Sequence, residues 1–154
     1  MKIRTSTRED DDAIIDALKE FADYQPLGRL QVEAKEYNDH HIRKILDAIR
    51  GNGMILIAQS KEGDVAGVFM SIITPDIWLP NMKIMNELVW WVCPHYRNTS
   101  AGLRLLKEYT KIGKKMVDSG KIATFTMTLL DNSPEIDLEK RGWDKIETNY
   151  VYGV

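Results

Sequence analysis

The chain has a single cysteine, Cys93, in 154 residues, so it cannot form an internal disulfide, and a disulfide-stapled secreted fold is excluded. Three histidines beside one cysteine are too few ligands for a closed structural zinc site, so no metal is expected. No apolar run approaches the ~20 residues that a membrane-crossing helix needs. The opening residues, Met1 to Asp10, lack the apolar core of a secretory leader. A soluble cytoplasmic protein is the expectation. Charge of neither sign prevails, with 21 Lys+Arg against 23 Asp+Glu and a net charge of −2. A basic stripe for nucleic acid and a polybasic patch for an anionic membrane are both missing, so neither is expected as a partner. Repeats, low-complexity tracts and linkers are also absent. What remains, 44% hydrophobic and 29% charged, is ordinary globular composition, and the length predicts one domain over residues 1–154.

The periodicity predicts the order β-α-α-β-β-β-α-β-α-β. Lys2 to Ser6 reads as a short strand. Thr7 and Asp10 have the spacing of a capping box. Ala13, Ile14, Ala17, Leu18 and Phe21 then recur at helical spacing, predicting a helix over about 8–23. Gln25 to Tyr37 has no clear period and reads as a loop or an irregular helix. Asn38 is placed to cap a second helix with the stripe Ile42, Ile45, Leu46 and Ile49, and Gly51 supplies its stop. Met54 to Gln59 and Val65 to Thr74 flank a polar turn and predict an antiparallel hairpin. A loop over 75–81 carries Trp78, and a strand over about 83–93 follows it. The next helix, about 100–118, buries Leu105, Leu106, Tyr109, Ile112, Met116 and Val117 and ends at Gly120. Ile122 to Leu129 reads as a strand, and a short helix starts near Pro134 and ends at Gly142 and Trp143. Lys145 to Tyr152 reads as the last strand. This is a mixed α/β pattern, in which only the unit over 84–128 predicts a parallel strand pair.

The signal for chemistry lies where the fourth strand meets the third long helix. Arg97, Asn98, Thr99, Ser100, Ala101 and Gly102 form a small-residue turn that opens a helix. Such a turn presents free backbone N–H groups and the positive end of the helix dipole to one point, which suits phosphate. Asn98 tolerates left-handed dihedrals, and Thr99 and Ser100 add donors. Taken alone, an ordinary helix cap reads the same way. Glu87 lies ten residues before Arg97 on the feeding strand. An acid beside an anion cradle points to an enzyme that uses a phosphorylated cofactor, with Glu87 as general base. The plainer reading of Glu87 is an exposed carboxylate paired with Lys83. Cys93 reads as a structural thiol, since its one nearby histidine, His95, lies across a proline. Arg104 and Lys107 are available to a phosphate, while Lys111, Lys114 and Lys115 read as a solvated face.

Element order and turn together resemble the GNAT superfamily of acyl-coenzyme A N-acyltransferases. The family turn, Arg/Gln-x-x-Gly-x-Gly/Ala, corresponds to Arg97 through Gly102. Its aromatic-Val-x-Pro-x-Tyr lead-in corresponds to Trp91, Val92, Pro94 and Tyr96. Its Lys-x-Gly-aromatic signature corresponds to Lys140, Gly142 and Trp143. The similarity spans about residues 2–152 and is greatest to the short members carried by bacteriophages. It implies a GNAT-like fold with acetyl-CoA as cosubstrate and the pyrophosphate on the 97–102 turn. It also implies a splayed central strand whose main chain at Trp91 and Val92 holds the pantetheine arm and the thioester. Asn132 would bond the pantetheine or the strand backbone, or else cap the helix at Pro134. Arg29 and Glu33 would border the site of an acceptor amine, a small molecule or a protein, that attacks directly in a ternary complex. Late strands would pair two copies into a homodimer.

The match departs from the family pattern at two positions. Ser100 replaces the first glycine of the turn. Leu138 stands where many relatives carry the tyrosine that protonates the departing thiolate, so catalysis needs another acid, for which Tyr150, Tyr152 and Tyr96 are the candidates, or none. These departures motivate a second reading, a catalytically degenerate protein of the same fold. It would bind coenzyme A or a protein partner as an inhibitor or assembly factor.

Overall fold

The computed structural model describes residues 1–25, 37–130, 133–134 and 136–150. Strand β1 (Lys2–Thr5) leads into a 3₁₀ turn, Arg8–Asp10, and then helix α1 (Asp11–Tyr24). The Asp10 carboxylate accepts from the Thr7 N–H at 2.7 Å and from its hydroxyl at 3.2 Å, which is the capping geometry that the spacing predicts. Arg4 on β1 adds two N···O contacts of 2.8 Å, and its guanidinium holds the Asp10 carboxyl down to about 2.

Asn38 caps α2 (Asp39–Asn52), its side-chain oxygen accepting from the His41 N–H at 3.0 Å. The helix runs through Gly51 instead of stopping there, and β2 (Gly53–Gln59) begins at once. The glycine that matters is Gly53. A Cβ there would lie 2.1 Å from the Ser71 carbonyl oxygen, so no other residue fits between α2 and the next strand.

β2 pairs with β3 (Val65–Pro75) and β3 with β4 (Lys83–Val92), both antiparallel. Helix α3 (Ala101–Asp118) then crosses over to β5 (Thr124–Phe125), which pairs parallel to β4. The sheet order is β1-β2-β3-β4-β5. On one face α1 and α2 bury Ile14, Ile15, Leu46 and Ile49 against Ile55, Ile57, Val68, Met70, Val89 and Trp91. On the other, α3 buries Ala101, Leu105 and Tyr109 against Leu56, Ala58, Phe69 and Met85.

One bulge decides which face each β4 side chain takes. Ser71 pairs with Glu87 and Met70 with Val89, so Leu88 is an extra residue on β4. Before it, Met85 points toward α3; after it, Val89 and Trp91 point toward α1 and α2.

Two late elements differ from the sequence expectation. Of Ile122 to Leu129, only Thr124 and Phe125 join the sheet. The expected last strand, Lys145 to Tyr152, is not a strand over its described part, 145–150, and every one of those residues is exposed. An alternating pattern needs an edge to pair with, and β5 offers only two residues of one. In place of the helix expected from Pro134, the described residues hold a 3₁₀ turn, Glu139–Arg141, closed by Gly142 at φ 84°. Trp143 follows and packs edge-on against Phe125, with ring centroids 5.1 Å apart.

Gly113 sets how closely α3 approaches β5, because a Cβ there would sit 2.7 Å from the Phe125 ring. Helix propensity favours alanine by roughly 0.5–1 kcal/mol, while overpacking costs roughly 1–3 kcal/mol, so overpacking wins. Gly113→Ala is therefore expected to lower stability by about 1–2 kcal/mol in urea unfolding. An unchanged or raised midpoint would show that Phe125 gives way freely.

Candidate functional site

β4 and β5 share only two rungs, Ile84 with Thr124 and Met85 with Phe125. One more bond, from the Thr126 N–H to the Met85 carbonyl at 2.9 Å, ends the pairing. Beyond it β4 keeps β3 on one side and has an open edge on the other. The Cys93 N–H donates to the Ala66 carbonyl of β3 at 3.1 Å. Strand alternation therefore turns the Val92 N–H and carbonyl toward the open edge.

Glu87 sits in this fork. Its carboxylate accepts from the Thr128 N–H at 3.1 Å, bridging the gap that the strands leave. The partner is that N–H rather than Lys83. Burial pushes the Glu87 carboxyl up to about 7, and the bonds from Thr128 offset only part of the rise. The Tyr109 hydroxyl donates to the Thr126 carbonyl at 2.7 Å and lies 3.4 Å from that of Met85. Burial, with the nearby charge of Glu87, raises the Tyr109 phenol above its usual range. The Thr126 hydroxyl donates to Asn86 at 3.1 Å, and the Asn86 amide donates to Thr74 at 3.1 Å, tying β3, β4 and the segment after β5 across the fork. Ser71 faces Glu87 across the ladder, and its buried hydroxyl has no partner among the described residues.

After β4, a 3₁₀ turn at Pro94–Tyr96 delivers the chain to Arg97. The Thr99 N–H and hydroxyl both bond the Tyr96 carbonyl, at 3.1 and 2.7 Å, and the Thr99 hydroxyl accepts from the Ala101 N–H at 3.2 Å. Asn98 and Ser100 are exposed, and Ser100 makes no side-chain cap bond. The N–H groups of Gly102 and Leu103 find no acceptor among the described residues. A Cβ at Gly102 would come 3.2 Å from a Val92 methyl and 3.7 Å from the Trp90 ring, so glycine keeps the space between α3 and β4 open. The Trp90 indole N–H, beside that space, is buried without a partner among the described residues.

The structure thus joins Glu87, Val92 and the 97–102 turn along one strand-to-helix path. It does not bring Tyr150 there, since that side chain is 94% exposed. Asn132, Arg29, Glu33 and Tyr152 lie outside the described residues. Trp91 turns its main chain toward β3, its carbonyl lying beside Gly67, and puts its side chain in the core beneath α1, so of the two expected main-chain groups only that of Val92 faces the open edge. The Cys93 thiol, half-buried, donates to the Val65 carbonyl at 3.5 Å and is pushed up to about 11, mainly by burial, which suits an unreactive thiol. Arg104 donates to the Met1 carbonyl at 2.9 Å, and Lys111 pairs with Glu108 at 3.2 Å. Among the described residues no cluster of His, Cys, Asp or Glu is arranged to hold a metal.

Sequence reasoning missed Tyr109, Thr128 and Ser71 as site residues. Tyr109 was legible as a core position, and its hydroxyl, which a core of leucines would lack, was the available signal. Nothing in the sequence marked the Thr128 N–H or Ser71.

No family model and no curated protein matches the chain. Solved structures do. A GNAT family acetyltransferase of Staphylococcus aureus superposes with a TM-score of 0.64 at 14% identity, over 99% of this chain and 98% of that one. The fold is that of the GNAT acetyltransferases. A glucosamine-6-phosphate N-acetyltransferase of Arabidopsis thaliana superposes at 0.70 and 14% identity, over 98% and 96% of the two chains. A transcriptional regulator of Bacillus halodurans superposes at 0.71 and 14% identity, over 99% of each. One GNAT-like frame thus carries proteins described by different roles, so function rests on the site. The site fits an acyl-CoA: free N–H groups at the start of α3, the gap kept by Gly102 and the open β4 edge at Val92 are what a diphosphate and a pantetheine arm require.

The raised Glu87 carboxyl links this site to stability. Its ordinary value is 4.5 and its folded value about 7, so between these the folded protein holds a proton that the unfolded chain has released. Stability should fall as pH rises through that window. Glu87→Gln should remove this fall, which paired urea titrations at pH 4.5 and 7.5 would read. Parallel pH dependence of the two proteins would place the Glu87 carboxyl in water.

Proposed function

We propose that the protein is an acetyl-CoA-dependent N-acetyltransferase that carries an acetyl group to an amine by direct attack in a ternary complex. The observation that carries this reading is Glu87, with its carboxyl pushed up to about 7, on the strand that runs into the α3 turn. An amine attacks only when neutral. A carboxylate that titrates near 7 takes the ammonium proton far more readily than one at the ordinary 4.5. The neutral nitrogen then bonds to the thioester carbonyl carbon, the carbon–sulfur bond breaks, and the thiolate leaves. Glu87 passes its proton to solvent, and the thiolate takes one from solvent: Tyr150 stands 94% exposed, and the Tyr96 hydroxyl donates to Asp64 at 3.0 Å. The Val92 N–H, turned to the open edge, is the main-chain donor for the developing oxyanion. The turn from Arg97 to Gly102 holds the pyrophosphate by its N–H groups. The similar acetyltransferase structures and the turn motif support the reading. The protein would act as one cytoplasmic domain.

The test is thiol release from acetyl-CoA over an amine panel. Turnover should rise with pH through about 7 as Glu87 ionises. Glu87→Gln should lower kcat by ~10²–10⁴-fold and flatten that rise. Ser100→Asp, which sets a negative charge at the positive end of α3 from an exposed position, should abolish the heat of acetyl-CoA binding while leaving the melting temperature near that of the parent. Binding without turnover on any amine would favour the second reading, a coenzyme-binding protein without catalysis, for which Leu138 and the exposed Tyr150 speak.

A further inference from the structure

Ser71 is a polar residue with no exposed surface, set in the middle of β3. Its hydroxyl has no hydrogen-bond partner among the described residues. A buried hydroxyl without a partner is less favourable than an alanine of the same backbone, so its presence calls for a partner that is used in some other state. Strand alternation fixes the side it faces. Phe69 and Ile73 pack toward α3, and Ser71 lies between them on the same face. The register sets Ser71 directly opposite Glu87 on β4. Directly opposed residues of an antiparallel pair share a face, with Cβ atoms about 4.5–5.5 Å apart. Rotation of the two side chains about their own bonds closes such a gap without movement of the backbone.

The surroundings of Glu87 leave room for that partner. No charged group among the described residues offsets its burial, so its ionised form depends on hydrogen-bond donors. From α3 the titratable group facing it is the Tyr109 phenol, which burial and the charge of Glu87 keep protonated. β3 presents Phe69, Ser71 and Ile73, β4 presents Met85, and the segment after β5 presents Thr128; none of these titrates. Lys83, at the start of β4, is exposed, and α1 and α2 lie on the other face of the sheet. Thr128 binds the carboxylate from the β5 side. A carboxylate ion accepts about four hydrogen bonds, so a donor from the β3 side is still wanted. We propose that Ser71 is a positioning residue for Glu87: its hydroxyl turns onto the carboxylate when the proton leaves, and the ionised side chain is then held between β3 and the segment after β5. That Glu87 works as a base rests on the acetyltransferase reading, whereas the bond from Ser71 does not. In the reaction the bond forms as Glu87 loses its proton to solvent and is given up as Glu87 takes the next one from the ammonium group.

The test is Ser71→Ala in urea unfolding at about pH 5 and about pH 8.5, without coenzyme or amine. At the lower pH the folded protein holds Glu87 protonated, and the variant loses only a spare hydroxyl, so it should be as stable as the parent or more so. At the higher pH Glu87 is ionised and loses a donor, so the ratio of folded to unfolded protein should drop about tenfold below that of the parent. The sign follows from linkage. Without the donor the folded Glu87 carboxyl rises further above the unfolded 4.5, so the fall of stability with rising pH becomes larger and extends to higher pH. Ser71→Cys, a weak donor of similar size, should behave as Ser71→Ala does, which separates the lost bond from the lost volume. In the Glu87→Gln background Ser71→Ala should have one effect at both pH values. An effect of Ser71→Ala that is equal at both pH values in the parent, or a pH-dependent effect that persists beside Gln, overturns the proposal. A protein with this coupling that never transfers acetyl keeps the Ser71–Glu87 bond and loses only the acetyltransferase reading. Turnover whose rise with pH depends on Glu87 but does not move in Ser71→Ala does the reverse.

Discussion

The bond from the Tyr109 hydroxyl to the Thr126 carbonyl, 2.7 Å long, lies beneath the point where β4 and β5 part. A splitting sheet exposes backbone groups on both sides of the split, and each needs a partner or water. Tyr109 is fully buried, stacked on Phe69 at 4.2 Å and edge-on to Phe125 at 5.6 Å, so its hydroxyl cannot move off the carbonyl without disturbing the core under α3. The Asn86–Thr126 bond and the Thr128–Glu87 bond continue the closure upward. The fork is thus a set of side-chain bonds substituted for missing rungs, and Glu87 is at once a member of that set and the group proposed to act as the base.

The bulge at Leu88 gives the two halves of β4 different tasks. Without it, alternation would send Glu87, Val89 and Trp91 to one face. With it, Glu87 keeps the α3 side while Trp91 goes beneath α1, where it meets Tyr24 and the guanidinium of Arg97. One inserted residue therefore sends the side chains of the two halves of a single strand to opposite faces of the sheet. Arg97 spans them, its backbone closing the 3₁₀ turn that leads to α3 and its side chain reaching back over the α1 side.

Much of this was legible in the sequence because it rests on local chemistry. The caps at Asp10 and Asn38, the hairpin of β2 and β3, the stripe of α3 and the parallel crossover are all set by near neighbours and by the helical and strand periods. Gly51 misled because a glycine near the end of a helical stripe reads as a stop, whereas the close approach that demands a glycine at Gly53 is to a strand 18 residues away. The segment 145–150 misled for the opposite reason: its alternation is real, but a strand exists only where another edge accepts it.

The site divides along the same line. Sequence by itself determined the turn proposed to bind the pyrophosphate, because residues 97–102 are contiguous and need only their own backbone and a helix dipole. It also determined that an acid precedes the turn at Glu87. Only the tertiary structure decided what that acid is. Its raised carboxyl depends on burial in a fork built from β3, β4, α3 and the segment after β5, and it is bonded by Thr128, 41 residues away. Only the tertiary structure also brought Glu20 and Tyr24 to Trp91. Charge, burial and ring contact between distant segments are properties of packing, and no spacing along the chain encodes them.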